Sequence, residues 1–206
     1  MKQILTVAEQ SASLTQQLLT FSRKERISPT VFDLNDAIES AAALVGPLLG
    51  EGVELTVNLG EALGEIYADR RQIEQVVANL AINARDAMED GGGLTIETSV
   101  ISVSEAEARV HPDAQRGVFA LLSVRDEGSG MDRETMARIF EPFFTTKEPG
   151  QGVGLGLSMV HGAIKQSGGF VAVESAPGRG TTFRLYLPVY EGVPGADLVD
   201  TGSASS

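Results

Sequence analysis

Residues 69–88 read DRRQIEQVVANLAINARDAM, and this stretch decides the fold. Ile73, Val76, Val77, Leu80, Ala84, Ala87 and Met88 recur at three- and four-residue steps, the period of a helix with one buried face. Asp69 is placed to cap it, with Gln72 three residues on at capping-box spacing. At 100° per residue, Asn79, Asn83 and Asp86 fall on a neighbouring edge, within about 60° of one another. Asparagine competes for backbone hydrogen bonds in a helix interior, so two of them one turn apart are locally unfavourable. They are either incidental amides on a solvated face or carbonyl oxygens at a pocket rim, suited to Mg²⁺ and phosphate.

Working outward, the pattern predicts a helix from Asp33 to Leu49 and an alternating strand from Val53 to Leu59. Residues 1–27 read as one amphipathic helix carrying Ile4, Val7, Leu14, Leu18 and Phe21, closed by Arg23, Lys24 and Arg26 before Pro29. Beyond the Gly91-Gly92-Gly93 turn, strands are expected at Leu94–Val103 and Val118–Arg125, with a loop and a helical turn between them. A short helix (Asp132–Phe140), a loop (Glu141–Gly156) and a helix (Leu155–Ser167) come next. Strands Phe170–Ser175 and Thr181–Leu187 follow, joined by Pro177-Gly178-Arg179-Gly180. Three segments result: an N-terminal helix (1–28), a main domain (29–190) and a flexible linker (191–206). Turn-linked antiparallel hairpins favour an α+β two-layer sandwich over a doubly wound parallel sheet.

A net charge of −12 argues against nucleic acid and against direct contact with an anionic membrane. With no cysteine, disulfides, thiolate zinc sites and thiol nucleophiles are excluded. No apolar run approaches the roughly 18 residues of a membrane helix, and no secretory apolar region precedes Glu9, so a cytoplasmic location is expected.

Chemistry concentrates in three further segments. Asp126-Glu127-Gly128-Ser129-Gly130 follows a strand; its carboxylate suits an exocyclic amine, and Gly128 and Gly130 admit a base to the backbone, unless this is a plain glycine turn. Gly150, Gly152, Gly154 and Gly156 run into a helix whose free amides suit phosphate, or else form a flexible linker. The run is neither a P-loop nor a GxGxxG fingerprint. Thr145-Thr146-Lys147 offers two hydroxyls and a cation on a mobile loop, to close over a triphosphate or merely to be solvated. Phe140, Phe143 and Phe144 are expected to anchor that loop in the core rather than touch ligand.

In this order, and ending in Gly178-Arg179-Gly180-Thr181-Thr182-Phe183, the motifs across residues 33–190 resemble the ATP-binding catalytic domain of sensor histidine kinases, a branch of the GHKL ATPase superfamily. The resemblance implies the histidine-kinase-like ATPase fold, with ATP or ADP and Mg²⁺ as cofactors. It implies Asn83 on the metal, Asn79 beside the phosphates, Asp126 on the adenine amine, and Asp86 among the cofactor-binding residues. Gly128, Gly130, Gly152, Gly154, Leu155 and Gly156 would frame the nucleotide, with Thr146 and Lys147 in a lid and Thr181 or Thr182 near the base. Residues 1–28 resemble the second helix of the dimerisation and phosphotransfer hairpin, implying a homodimer and a longer parent protein. Neither His111, before Pro112, nor His161, after the glycine run, fits the phosphoacceptor pattern. The implied partners are a histidine-bearing hairpin and the receiver domain of a response regulator. The implied reaction moves the γ-phosphoryl group of ATP to a histidine, with little autophosphorylation of this chain alone. Gyrase-type relatives place a glutamate one turn before the metal asparagine; Asn79 cannot take a proton, and Glu74 lies about 140° away on the helix. A GHKL-type ATPase or serine kinase, and a non-enzymatic nucleotide-gated interaction module, remain the alternatives.

Overall fold

A computed structural model describes residues 28–108, 114–148 and 152–192. Asp33 ends strand β1 (Thr30–Asp33) and caps helix α1 (Leu34–Leu49) by accepting the Asn35 N–H at 2.8 Å. Strand β2 (Val53–Asn58) alternates half-buried and exposed residues, as its sequence predicts. Strand β3 (Glu65–Ala68) leads into helix α2 (Arg70–Ala87). Asp69 caps α2 from its Oδ1, which accepts the Arg71 and Gln72 N–H groups at 3.0 and 3.4 Å. The return half of the expected capping box does not form, and the Gln72 side chain reaches away to donate to Gln166 at 3.3 Å. Strand β4 (Gly92–Val103), helix α3 (Glu105–Ala108) and strand β5 (Gly117–Asp126) follow. Helix α4 (Arg133–Arg138), helix α5 (Gly156–Gln166), strand β6 (Phe170–Ser175) and strand β7 (Thr181–Pro188) complete the order.

The main sheet runs β2-β4-β5-β7-β6. Helices α1, α2 and α5 cover one face, where Leu34, Ile38, Ile73, Leu80, Val160 and Ile164 pack on Leu94, Ile96, Leu122, Leu185 and Leu187. This is the two-layer α+β sandwich that the motifs imply. Two features depart from the sequence reading. β2 pairs in parallel with β4, since β3 and α2 lie between them and form a crossover rather than a hairpin. β1 and β3, not foreseen as strands, form a separate antiparallel pair, joined to the body by an Ile66–Val189 bridge. The N-terminal helix and the C-terminal linker expected from the sequence lie outside the described residues, as does His111. No helix among the described residues is long and apolar enough to cross a membrane.

One buried polar ring fixes the helical layer to the sheet. Thr98 on β4, 5% exposed, donates to Asn35 Oδ1 at 2.8 Å and accepts the Gly60 N–H at 2.9 Å. Asn35 Nδ2 closes the ring on the Gly60 carbonyl at 2.9 Å. Thr98→Val conserves volume but strands the Asn35 oxygen and the Gly60 amide. It should cost about 1–3 kcal/mol of unfolding free energy, read as a lower urea midpoint at unchanged slope.

Candidate functional site

Helix α2 buries Ile73, Val76, Val77, Leu80, Ala81 and Ala84, and its next edge opens onto a cavity of about 340 Å³. Asn79, Asn83, Asp86, Thr146, Lys147, Gly152, Gly154, Leu155 and Gly156 all line it. Asn79 Oδ1 accepts from Gln75 at 3.2 Å, and its Nδ2 lies 3.5 Å from the Gly156 carbonyl. Asn83 lines the cavity, and its side-chain amide makes no hydrogen bond among the described residues. Gly156 is packed so closely on this edge that a Cβ there would sit 3.7 Å from Asn83 Nδ2 and 3.9 Å from Asn79 Cγ.

The opposite wall is the glycine run and helix α5. No side chain caps α5, so its first amides stay free where Gly152 to Leu157 line the cavity. Such an end attracts anions by both dipole and donor geometry. Gly154 has φ 69°, and a Cβ there would come within 2.5 Å of Phe143 C and Phe144 O. Phe143 is itself at φ 68° and donates its N–H to the Gly154 carbonyl at 2.9 Å. The three phenylalanines part company here. Phe140 packs on the core and on His161, with rings 4.9 Å apart, and Phe144 lines the cavity beneath the Arg138 guanidinium. Phe143 is 63% exposed, so the expectation that all three anchor the loop is corrected: the strained turn aims its ring outward.

Across the cavity mouth, Lys147 Nζ donates to Asp86 Oδ2 at 2.5 Å. Arg85 donates to Asp86 Oδ1 at 2.6 and 2.9 Å and to the Leu48 carbonyl at 3.1 Å. Burial alone would raise the Asp86 carboxyl, but hydrogen bonds from Lys147 and Arg85 outweigh it and hold it below the ordinary 3.8.

Asp126, Gly128, Gly130 and Thr181 gather beside this cavity rather than in it. Asp126 Oδ1 accepts the Gly128 N–H at 2.9 Å and the Thr181 N–H at 3.2 Å. Burial pushes the Asp126 carboxyl up, partly offset by those two amides. The loop rests on the end of α2: Ser129 N–H donates to the Ala87 carbonyl, and a Cβ on Gly128 would meet that oxygen at 2.6 Å. Gly130 lies against Ala176 and Gly180 of the β6–β7 turn. Thr182 is not brought to this cluster, because it pairs with exposed Arg125 on the sheet face away from the helices. The sequence reading missed Gln75, Met131, Thr135, Ile139 and Met159 as cavity residues. Only Gln75 carried a signal, lying one turn before Asn79.

The family described as histidine kinase-, DNA gyrase B- and HSP90-like ATPases matches residues 68–191. Sensor kinase CckA of Brucella abortus is 45% identical over 88% of this chain, and sensor histidine kinase ZraS of Escherichia coli 33% over 88%. The chain spans only 19% and 36% of those relatives. Among solved structures, the catalytic domain of histidine kinase ThkA matches with TM-score 0.63 and 28% identity over 79% of this chain and 96% of its own. Full-length ShkA in complex with AMPPNP matches with TM-score 0.61 and 29% identity, over 79% of this chain and 31% of its own.

Asp86→Asn should free the Lys147 loop, seen as faster amide exchange over residues 141–148. Because the folded Asp86 pKa is depressed, its stabilisation is present above about pH 4 and lost as pH falls further. The stability gap between the parent and Asp86→Asn, measured by urea denaturation, should hold at neutral pH and close below pH 4.

Proposed function

Because the chain belongs to the family of histidine kinase-, DNA gyrase B- and HSP90-like ATPases, we propose that it is the ATP-binding catalytic domain of a sensor histidine kinase. Its reaction is transfer of the ATP γ-phosphoryl group to a histidine on a hairpin of the same or a partner chain, and thence to a receiver domain. Relatives that are named sensor kinases, and a relative solved with an ATP analogue, support this reading. One observation carries it within the family. The cavity has a free amide, a cation and an uncapped helix end for a triphosphate, and no usable base for water among its described lining residues.

Among the described residues lining the cavity, Asp86 is the sole carboxylate, and two cations hold it ionised and weakly basic. Asn79 stands where a hydrolytic relative would hold its glutamate. The domain therefore positions and neutralises, and the nucleophile comes from elsewhere.

Among the described residues no cluster of three His, Cys, Asp or Glu side chains is arranged to hold a metal. A cation would lean on a neutral amide and on phosphate oxygens, which fits Mg²⁺ and the unpaired Asn83 carbonyl. Bound there, Mg²⁺ supplies charge neutralisation of the triphosphate. Lys147 exchanges Asp86 for phosphate oxygen, the α5 amides take the remaining anionic charge, and Asp126 accepts from the adenine amine. Gly128 and Thr181 hold that carboxylate in place. Its dependence on ATP supports a cytoplasmic location.

Asn83→Ala should abolish the Mg²⁺ dependence of nucleotide affinity, and Asp126→Ala should weaken ATP binding. Each loses a charge-assisted contact of about 1.5–3 kcal/mol, or ten- to a hundredfold in Kd by calorimetry. With labelled ATP and an acceptor hairpin supplied in trans, acid-labile label should appear on the hairpin histidine. Label on serine, or steady phosphate release without the hairpin, would reject the kinase assignment.

A further inference from the structure

Three strands place Ser175, Thr181 and Asp126 in one row on the helix-covered face of the sheet. Ser175 ends β6 opposite Thr181, and Thr181 begins β7 opposite Asp126, the last residue of β5. Directly paired antiparallel residues share a face with Cβ atoms about 4.5–5.5 Å apart, so the three side chains are neighbours in one row.

The proton inventory of this row is closed. Ser175 Oγ accepts the Met131 N–H at 2.8 Å and donates to the Gly180 carbonyl at 2.9 Å. It also lies 3.0 Å from Thr181 Oγ1. A serine has one proton, and a carbonyl oxygen can only accept. The Ser175 proton is therefore committed to Gly180, and the contact with Thr181 must use the threonine proton. Thr181 Oγ1 is left with lone pairs alone for any other partner.

Asp126 adds a second acceptor. Both amide donors go to Oδ1, and Oδ2 takes no hydrogen bond among the described residues. Those residues contain no buried polar side-chain atom without a partner, so Oδ2 must reach solvent. Beside it stands the acceptor-only oxygen of Thr181. A base that presents a carbonyl there meets repulsion; a base that presents an exocyclic amine brings the protons the row lacks.

We propose that Ser175 is a positioning residue that sets the base preference of this site, by holding the Thr181 hydroxyl as an acceptor beside Asp126 and so selecting 6-aminopurine nucleotides over 6-oxopurine ones. The inference rests on reading Asp126 as the base subsite. Ser175 acts through Thr181 and through the Met131 amide. Removing its hydroxyl lets the Thr181 hydroxyl turn and donate to a 6-oxo group.

The test compares ATP with ITP, which carries a carbonyl in place of the amine, by displacement of a fluorescent ATP analogue from the full chain. The parent should prefer ATP. Ser175→Ala should narrow the ATP-to-ITP ratio about five- to tenfold, the loss of one neutral hydrogen bond, with ITP binding tighter than in the parent. A packing defect would weaken both nucleotides. Ser175→Thr, which keeps the hydroxyl, should retain the ratio, and Thr181→Val should narrow it on its own. In the Thr181→Val background, Ser175→Ala should change the ratio no further. Equal weakening of ATP and ITP by Ser175→Ala, an unchanged ratio in Thr181→Val, or additive effects would overturn the role of Ser175 while leaving the nucleotide site standing. A parent chain that binds neither nucleotide would overturn the site reading as well.

Discussion

The 100° turn per residue of helix α2 ties the core to the rim of the cavity. The face holding Ile73, Val77, Leu80 and Ala84 is buried against the sheet, and Asn79, Asn83 and Asp86 ride on the adjoining edge. Shifting the helix by one residue would swing an asparagine toward the apolar layer and a leucine out of it. Burying an unpaired amide costs about 1–3 kcal/mol by protein measurements, and exposing a core leucine costs about as much again. The asparagines therefore inherit the rigidity of a core they do not belong to. The Thr98–Asn35–Gly60 ring ties α1, against which α2 packs, to the same sheet.

The facing wall has the opposite character. Between Phe140 and α5, the described chain is tied across the cavity by the turn from Phe143 to Gly154 and the ion pair from Lys147 to Asp86. Both can be exchanged for contacts with a ligand. Arg85, Asp86 and Lys147 form a local group of two cations and one anion. A protein of net charge −12 thus keeps a positive spot where an anion would enter. Since Asp86 already occupies Lys147, an incoming phosphate trades one anionic partner for another. The lysine never has to be held as an unpaired charge in a half-buried place.

Local periodicity and turn chemistry made most of the fold legible. α1, α2, α5 and the four long antiparallel-paired segments show in the spacing of apolar residues and in the glycines between them. What the sequence hid was non-local. β1 and β3 are four residues each and exist because residue 30 meets residue 68, a pairing that no window of sequence contains. The parallel match of β2 with β4 follows from the intervening crossover helix. Met131, Thr135, Ile139 and Met159 reach the cavity from distant elements, and the types of Met131, Ile139 and Met159 announce core rather than ligand. The capping box stays half-formed while Gln72 finds Gln166, a partner 94 residues away. Asn79 and Asn83 stood out as cavity residues for the opposite reason, since two amides one turn apart in a helix interior are locally unfavourable and require explanation.

Why a cavity read as a nucleotide site offers no ready base among its described residues follows from what each side chain is already committed to. A water lined up on a γ-phosphoryl group needs a group to take its proton, and efficient proton transfer needs a pKa near the working pH. Asp86 is held below the ordinary carboxylate range by two cations. Asp126, pushed upward by burial, is committed through Oδ1 to two amides and lies outside the cavity lining. Asn79 and Gln75 hydrogen-bond one another and have no proton chemistry near neutrality. With each of these groups either pinned or neutral, a triphosphate in this cavity would be held, oriented and partly neutralised, yet slow to react with water. Such a site favours waiting for a nucleophile that brings its own basic nitrogen, and a histidine on another helix is the side chain that meets that demand at physiological pH.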